Sequence, residues 1–290
     1  MTDEPKIAWD LSADLGEGPV WVERDGALWF TDIKSRKIHR FDPETGDRES
    51  WDSPEQVGFV LPAASGGFVA GLESGLHHFD SESGEFSLIA EVEPDLPTNR
   101  LNDGVVDPKG RIWFGTMDNS ERSKSGAFYC FDRGELKRTH LTGIAITNGP
   151  AVSPEGDRLY WVDTLAGTIS ACDIGADGKL GPSRELIYVM PAEGHPDGPT
   201  VDAEGCIWIS LYSGWEGRRY SSEGKLLDRV RFPVSNITKV AFGGPDMQSA
   251  FATTARHLLR PDALADQPLA GGLFRFEPGI AGVPSPLVAI

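Results

Sequence analysis

Six short apolar strands recur along the chain at a spacing that few folds produce. They are Ala27–Asp32, Gly67–Leu72, Arg111–Thr116, Arg158–Asp163, Cys206–Leu211 and Ser249–Thr254. Between the equivalent positions Leu28, Phe68, Ile112, Leu159, Ile207 and Ala250 the steps are 40, 44, 47, 48 and 43 residues. Repeats of about 40–45 residues with several strands each are the unit of a β-propeller blade. A further alternating strand follows each one, as in Lys37–Asp42, Ala127–Asp132 and Thr168–Asp173, and these end in turns such as Asp42-Pro43-Glu44-Thr45-Gly46. The sequence therefore predicts an all-β chain, a six-bladed β-propeller of four-stranded blades around a central channel, as a single domain over residues 1–290. An open ring would leave unpaired sheet edges. Ile7–Asp10 and Pro286–Ile290 are apolar enough to join the last blade from both ends. Only Arg256–Leu269 offers room for a helical turn, with an irregular loop as the alternative.

Charge and cysteine content narrow the function classes. The 290 residues carry a formal net charge of −17. A surface that acidic repels nucleic acid and anionic membranes, so neither is expected as a partner. The three cysteines, Cys130, Cys172 and Cys206, are odd in number and far apart, which argues against a disulfide framework or a zinc knuckle. Cys130 and Cys172 sit in apolar alternations and are expected to be buried thiols. The N-terminal residues have no basic cap before an apolar run, and no stretch approaches the ~20 apolar residues of a membrane helix. A cytoplasmic protein, monomeric or weakly dimeric, is the expectation. There is no Gly-x-Ser-x-Gly elbow, phosphate-binding loop or Cys-x-x-Cys pair.

A second repeated element points to a site. Glu17-Gly18, Asp103-Gly104, Asn148-Gly149 and Asp197-Gly198 each place an oxygen-bearing side chain before a glycine at the start of a similar strand. Val57-Gly58 and Lys239 hold the corresponding places in the second and sixth repeats. In a propeller the innermost strands run the same way along the channel, so these residues meet at one mouth. Glycine there lets backbones pass close to whatever occupies the channel. Two carboxylates and an amide oxygen brought together repel unless a cation lies between them, and oxygen-only ligands favour a hard divalent ion such as Ca²⁺, Mg²⁺ or Mn²⁺. Glu17, Asn148 and Asp197 are the candidate ligands of such an ion. The alternative is that the side chains form turn hydrogen bonds before their glycines. Arg100 and Asn102 lie beside this set. Arg100 either clamps a hydroxyl-rich or anionic ligand or forms a surface ion pair. Trp29, Trp113, Trp161 and Trp208 recur inside the repeats and are read as core. Trp215 follows Tyr212-Ser213-Gly214 in a loop that would lie near the mouth, and His195 reads as a loop residue.

At these residues the chain resembles the senescence-marker protein (regucalcin), gluconolactonase and luciferin-regenerating-enzyme family. Leu15-Gly16-Glu17-Gly18-Pro19, Arg100-Leu101-Asn102-Asp103-Gly104, Thr147-Asn148-Gly149 and Pro196-Asp197-Gly198 match its signatures in order, and the likeness extends through Phe242-Gly243-Gly244-Pro245 to Gln267–Gly272. Within the family it looks most like bacterial aldonolactonases, xylonolactonases especially. The resemblance implies one divalent metal ion in the channel, Ca²⁺ first, with Zn²⁺, Mg²⁺, Mn²⁺ or Fe²⁺ as alternatives. It makes Glu17, Asn148 and Asp197 its ligands and Asp197 also the general base. It places Arg100 and Asn102 on sugar hydroxyls. An acidic residue after Gly115-Thr116-Met117 is expected to touch substrate. The loop spacing differs from regucalcin's, so Asp118 and Glu121 both qualify.

These readings converge on metal-dependent hydrolysis of a small sugar lactone, such as xylonolactone or gluconolactone, to its aldonic acid. A cyclic ester needs no covalent nucleophile, in keeping with the missing elbow serine. The competing readings are a calcium-binding regulatory propeller and a promiscuous metal-dependent esterase or phosphotriesterase.

Overall fold

The computed structural model describes residues 4–290. All six expected apolar strands are present, as Ala27–Asp32, Phe68–Leu72, Ile112–Asp118, Arg158–Asp163, Ile207–Tyr212 and Ser249–Thr254. Most of their residues are buried on both faces, so they read as continuous apolar runs. The outermost strands, such as Arg48–Asp52 and Leu226–Arg231, are largely exposed and correspondingly polar.

The strands form an all-β propeller. Four separate four-stranded antiparallel sheets cover Gly16–Asp52, Val57–Glu91, Asn99–Ile144 and Thr147–Tyr188. The expectation of six separate blades is corrected here. The remaining strands form one eight-stranded sheet. It consists of a four-stranded half over His195–Arg231 and another over Ile237–Phe276 that takes in Lys6–Trp9. A single parallel pair, Gly198 with Lys239, hydrogen-bonds the two. That pair forms because Gly198 has no side chain. A Cβ there would lie 2.8 Å from the Lys239 stem.

Innermost strands Gly16–Val22, Val57–Pro62, Asn99–Val106, Thr147–Val152, His195–Val201 and Ile237–Gly243 contact one another in sequence order, and the last returns to the first. Apolar clusters fill the spaces between neighbouring sheets. Phe59, Val69 and Leu76 pack against Ile112, Phe114 and Tyr129. Trp208, Val230 and Phe232 pack against Val240 and Phe274 across the two halves of the eight-stranded sheet. Trp113 and Trp208 are buried and donate their indole N–H to Asp107 and Asp202. Each aspartate also accepts two backbone N–H groups of its own turn and an arginine Nε. These tryptophans are core, as read from the sequence. All three cysteines are buried.

Only one chain end closes the ring. Lys6–Trp9 pairs with Leu273–Phe276. The C-terminal segment does not join that sheet. Gly282 N–H donates to Met247 O and Ala203 N–H to Ala281 O. Farther on, Val288 and Ala289 bond to Pro62, Ala64 and Gly110. Prolines 284 and 286 cannot donate to a ladder. The segment instead crosses the far ends of the innermost strands, where residues 283–286 help to line a small cavity with Val106, Val152 and Lys239. The expected helical turn is a short α-helix, Pro261–Asp266.

His39 is a buried base inside the first sheet. Its Nδ1 lies 2.7 Å from Ser50 Oγ, its Nε2 has no partner, and its ring packs edge-on against Trp9. Burial pushes its pKa down to about 4, against an opposing pull from Asp32. The unfolded chain takes up this proton near pH 6.5. Stability is therefore fully present above about pH 6.5 and is lost as pH falls toward 4, by on the order of 3 kcal/mol. His39→Gln is expected to flatten the acid limb of stability between pH 6.5 and 4. Denaturant midpoints of parent and variant that keep parallel pH profiles would refute this.

Candidate active site

Each innermost strand carries a register irregularity at the same place. The shifts fall between Glu17 and Val20, Val57 and Phe59, Leu101 and Gly104, Asn148 and Ala151, Pro196 and Pro199, and Ile237 and Lys239. A bulge bends its strand and re-aims a side chain. Here it accompanies the turn of Glu17, Asn148 and Asp197 into the cavity. Gly18 and Gly149 have φ of 54° and 76°, in the left-handed region. A Cβ on either would lie 2.9 Å from Gly58 O or 2.6 Å from Pro199 Cγ. The glycines therefore permit both the backbone turn and the close approach of neighbouring strands.

The structure brings Glu17, Arg100, Asn102, Glu121, Asn148 and Asp197 to one cavity of about 270 Å³, near the lower end of small-molecule clefts (~300–1,000 Å³). Thr164, His195, Tyr212, Ser213 and His257 add polar groups, and Leu15, Met117, Ile146, Leu165 and Leu258 give it apolar walls. Glu17 and Asp197 are buried and each accepts one hydrogen bond, from the N–H of the following glycine, at 3.1 and 2.9 Å. The turn reading thus holds for one oxygen of each carboxylate. It does not hold for Asn148, whose Oδ1 accepts from Asn102 Nδ2 at 2.9 Å and whose Nδ2 donates to Thr164 Oγ1 at 2.8 Å. Burial, then the charge of nearby Asp103, pushes Glu17 up to about 8. Asp197 is raised by burial and then by Glu17. Asp103 makes Glu17 harder to ionise, and Glu17 and Asp103 do the same to Asp197, as expected of carboxylates sharing one buried space.

Arg100 is buried and is not a surface ion-pair residue. Its Nη1 donates to Asn102 Oδ1 at 2.6 Å and its Nε to Asn119 Oδ1 at 3.2 Å. Burial lowers its pKa to about 10. Asn102 links the set: it accepts from Arg100 and donates to Asn148 and to Thr147 O. Asp103 lies in the same strand but below the cavity, where Lys239 Nζ donates to both its oxygens at 2.7 Å.

Residues 15–256 match the SMP-30/gluconolactonase/LRE-like region. The chain belongs to this family. It is 32% identical over 277 residues to 6-deoxy-6-sulfogluconolactonase of Pseudomonas putida, covering 95% of each chain. To L-arabinolactonase of Azospirillum brasilense it is 35% identical over 278 residues, covering 94% of this chain and 92% of the relative. The crystal structure of a calcium-binding protein, regucalcin, from Agrobacterium tumefaciens superposes with a TM-score of 0.94 at 29% identity, covering 100% of this chain and 98% of that one.

The two acidic residues proposed for substrate contact in this SMP-30/gluconolactonase/LRE-like chain separate cleanly. Glu121 lines the cavity. Asp118 does not; it is spent on its own turn. Its carboxylate accepts from Ser120 Oγ at 2.6 Å and from the backbone N–H of Ser120, Arg122 and Ser123. The Ser120 hydroxyl and these N–H groups hold its pKa down to about 2. Trp215 is exposed but is not among the cavity residues, whereas His195 is. Sequence reasoning missed Thr164, Tyr212, His257 and the partnership of Lys239. A lysine inside the apolar run Ile237–Gly243 was the one available signal for the last of these. Asp118→Ala is expected to lower the melting temperature and to speed amide exchange over residues 119–123, while Glu121→Gln leaves both near the parent values. Parent-like melting and exchange in Asp118→Ala would remove its role as the organiser of this turn.

Proposed function

We propose that this chain is a metal-dependent sugar lactonase that hydrolyses an aldonolactone to the aldonic acid. The relatives' names support a carboxylic ester hydrolase acting on lactones. The observation that carries the reading is the convergence of Glu17, Asn148 and Asp197 on the cavity that also exposes Arg100 and Asn102.

The donor set fits a hard divalent cation. Two buried carboxylates each hold one hydrogen bond and lack a direct counter-ion, because Lys239 is already paired with Asp103. All three donor groups are oxygens, which favours Ca²⁺, with Mg²⁺ or Mn²⁺ as alternatives. Among the described residues no group of three or more His, Cys, Asp and Glu side chains is arranged to hold a metal ion. The proposed set has only two acids and relies on the Asn148 amide for its third oxygen. When bound, the cation supplies Lewis-acid polarisation of the lactone carbonyl.

The protein residues do the rest. Arg100 donates to substrate hydroxyls through Nη2, which has no hydrogen-bond partner among the described residues. Asn102 offers the remaining lone pair of Oδ1. Asp197 takes a proton on the oxygen not used by Gly198 N–H, as water adds to the carbonyl carbon. The carbonyl re-forms as the ring C–O bond breaks. The proton passes from Asp197 to the departing ring oxygen, leaving one carboxylic acid and one hydroxyl from lactone and water. The apolar wall excludes bulk water and so strengthens each of these polar contacts.

Acid release from pentono- and hexonolactones tests the reading. Asp197→Ala is expected to retain its fold and less than a tenth of parental activity. Arg100→Ala is expected to raise KM more than it lowers kcat, as for a contact made equally in ground and transition states. A chelator is expected to lower both activity and melting temperature, and added Ca²⁺ to restore them; ligand linkage contributes ~2.7 kcal/mol at a hundredfold excess over Kd. Full hydrolysis after chelation, with unchanged melting, would overturn the metal site.

A further inference from the structure

The channel holds a third buried acid and a buried lysine that the proposed chemistry does not use. Lys239 Nζ donates to Asp103 Oδ1 and Oδ2, both at 2.7 Å, and both side chains are almost fully buried. Asp103 is also fixed from two backbones, accepting from Gly104 N–H at 2.8 Å and from Gly149 N–H at 3.0 Å. The Lys239 stem runs against Gly198, the residue after Asp197. The ammonium therefore leaves its own strand beside one proposed ligand and is drawn across the channel to the third sheet. Both Lys239 and Asp103 act electrostatically on Glu17 and on Asp197.

We infer that Asp103 is a positioning residue that holds the Lys239 ammonium away from Glu17 and Asp197, keeping the two acids free for a divalent cation. A flexible lysine next to two poorly compensated carboxylates would otherwise pair with them, since an unpaired ammonium is as costly to bury as an unpaired carboxylate. It would then compete with the cation for the same oxygens. Asp103 prevents this because its two oxygens are pre-oriented by Gly104 and Gly149. The inference rests on Glu17, Asn148 and Asp197 being the metal ligands.

Calorimetric titration of the metal-stripped full chain with Ca²⁺, repeated with Mn²⁺, tests it, with melting curves confirming that each variant is folded. Asp103→Asn keeps the side-chain shape and is expected to weaken binding about tenfold or more. Lys239→Met removes the competitor and is expected to bind at least as tightly as the parent. The double variant Asp103→Asn/Lys239→Met is expected to return to within about threefold of the parent, a rescue that simple loss of packing would not produce. Parent-like binding by Asp103→Asn overturns the inference, as does a double variant as weak as Asp103→Asn. If Asp103→Asn does not fold, weakened binding by Lys239→Met overturns it. A parent that binds neither cation refutes the ligand assignment itself and the inference with it, and the silent parent titration distinguishes that outcome.

Discussion

Charge balance among buried side chains in the channel governs the organisation of this protein. The innermost strands bring three buried acids, Glu17, Asp103 and Asp197, and two buried bases, Arg100 and Lys239, close together. Only one pair is matched directly, Lys239 with Asp103. Arg100 donates through Nε and Nη1 to amide and carbonyl oxygens rather than to a carboxylate. Glu17 and Asp197 therefore share a space with no cation in contact with either. Burial first, and neighbouring acids second, raise the pKa of both. A site that disfavours its own ionised state without a cation is matched to binding one, and charges in such surroundings interact far more strongly than in water.

The geometry that creates this deficit comes from the backbone. A bulge at one level of every innermost strand is what makes residues from distant parts of the sequence converge. Because the shift falls at the same place in each strand, Glu17, Asn148 and Asp197 meet at one level. Glycine after the bulged residue is required on two counts, left-handed φ at Gly18 and Gly149 and the close approach of the neighbouring strand. The carboxylates use the same glycines as hydrogen-bond donors, so one local device sets both the direction and the anchoring of the side chain.

Much of this was legible in the sequence because it is periodic. The second strands read as apolar runs since both their faces are covered. The residues before glycine stood out because they recur in four of the six repeats. What was not legible depends on contacts between distant elements. Asp103 and Lys239 are 136 positions apart, and nothing local marks them as partners. The C-terminal stretch was as apolar as a closing strand, yet its prolines suit it to crossing the channel end. The fusion of two sheets turns on the absence of one side chain at Gly198. Asp118 and Glu121 could not be separated by type or spacing. Only the turn that consumes four acceptor positions on Asp118 distinguishes them.

That turn also separates chemistry from selectivity. Glu17, Asn102, Asn148 and Asp197 sit on innermost strands locked by bulges and glycines, where a change of residue disturbs several sheets at once. Glu121 sits in a loop with φ of 60°, next to a turn that Asp118 holds by itself. Leu165 and Leu258 at the cavity wall are likewise loop residues and are exposed. Loops of this kind can change length and side chain without altering the ring beneath them. On the proposed lactonase reading, the strands hold the groups that would meet the reacting carbonyl, and the loops over the mouth would set the size and hydroxyl pattern of the lactone.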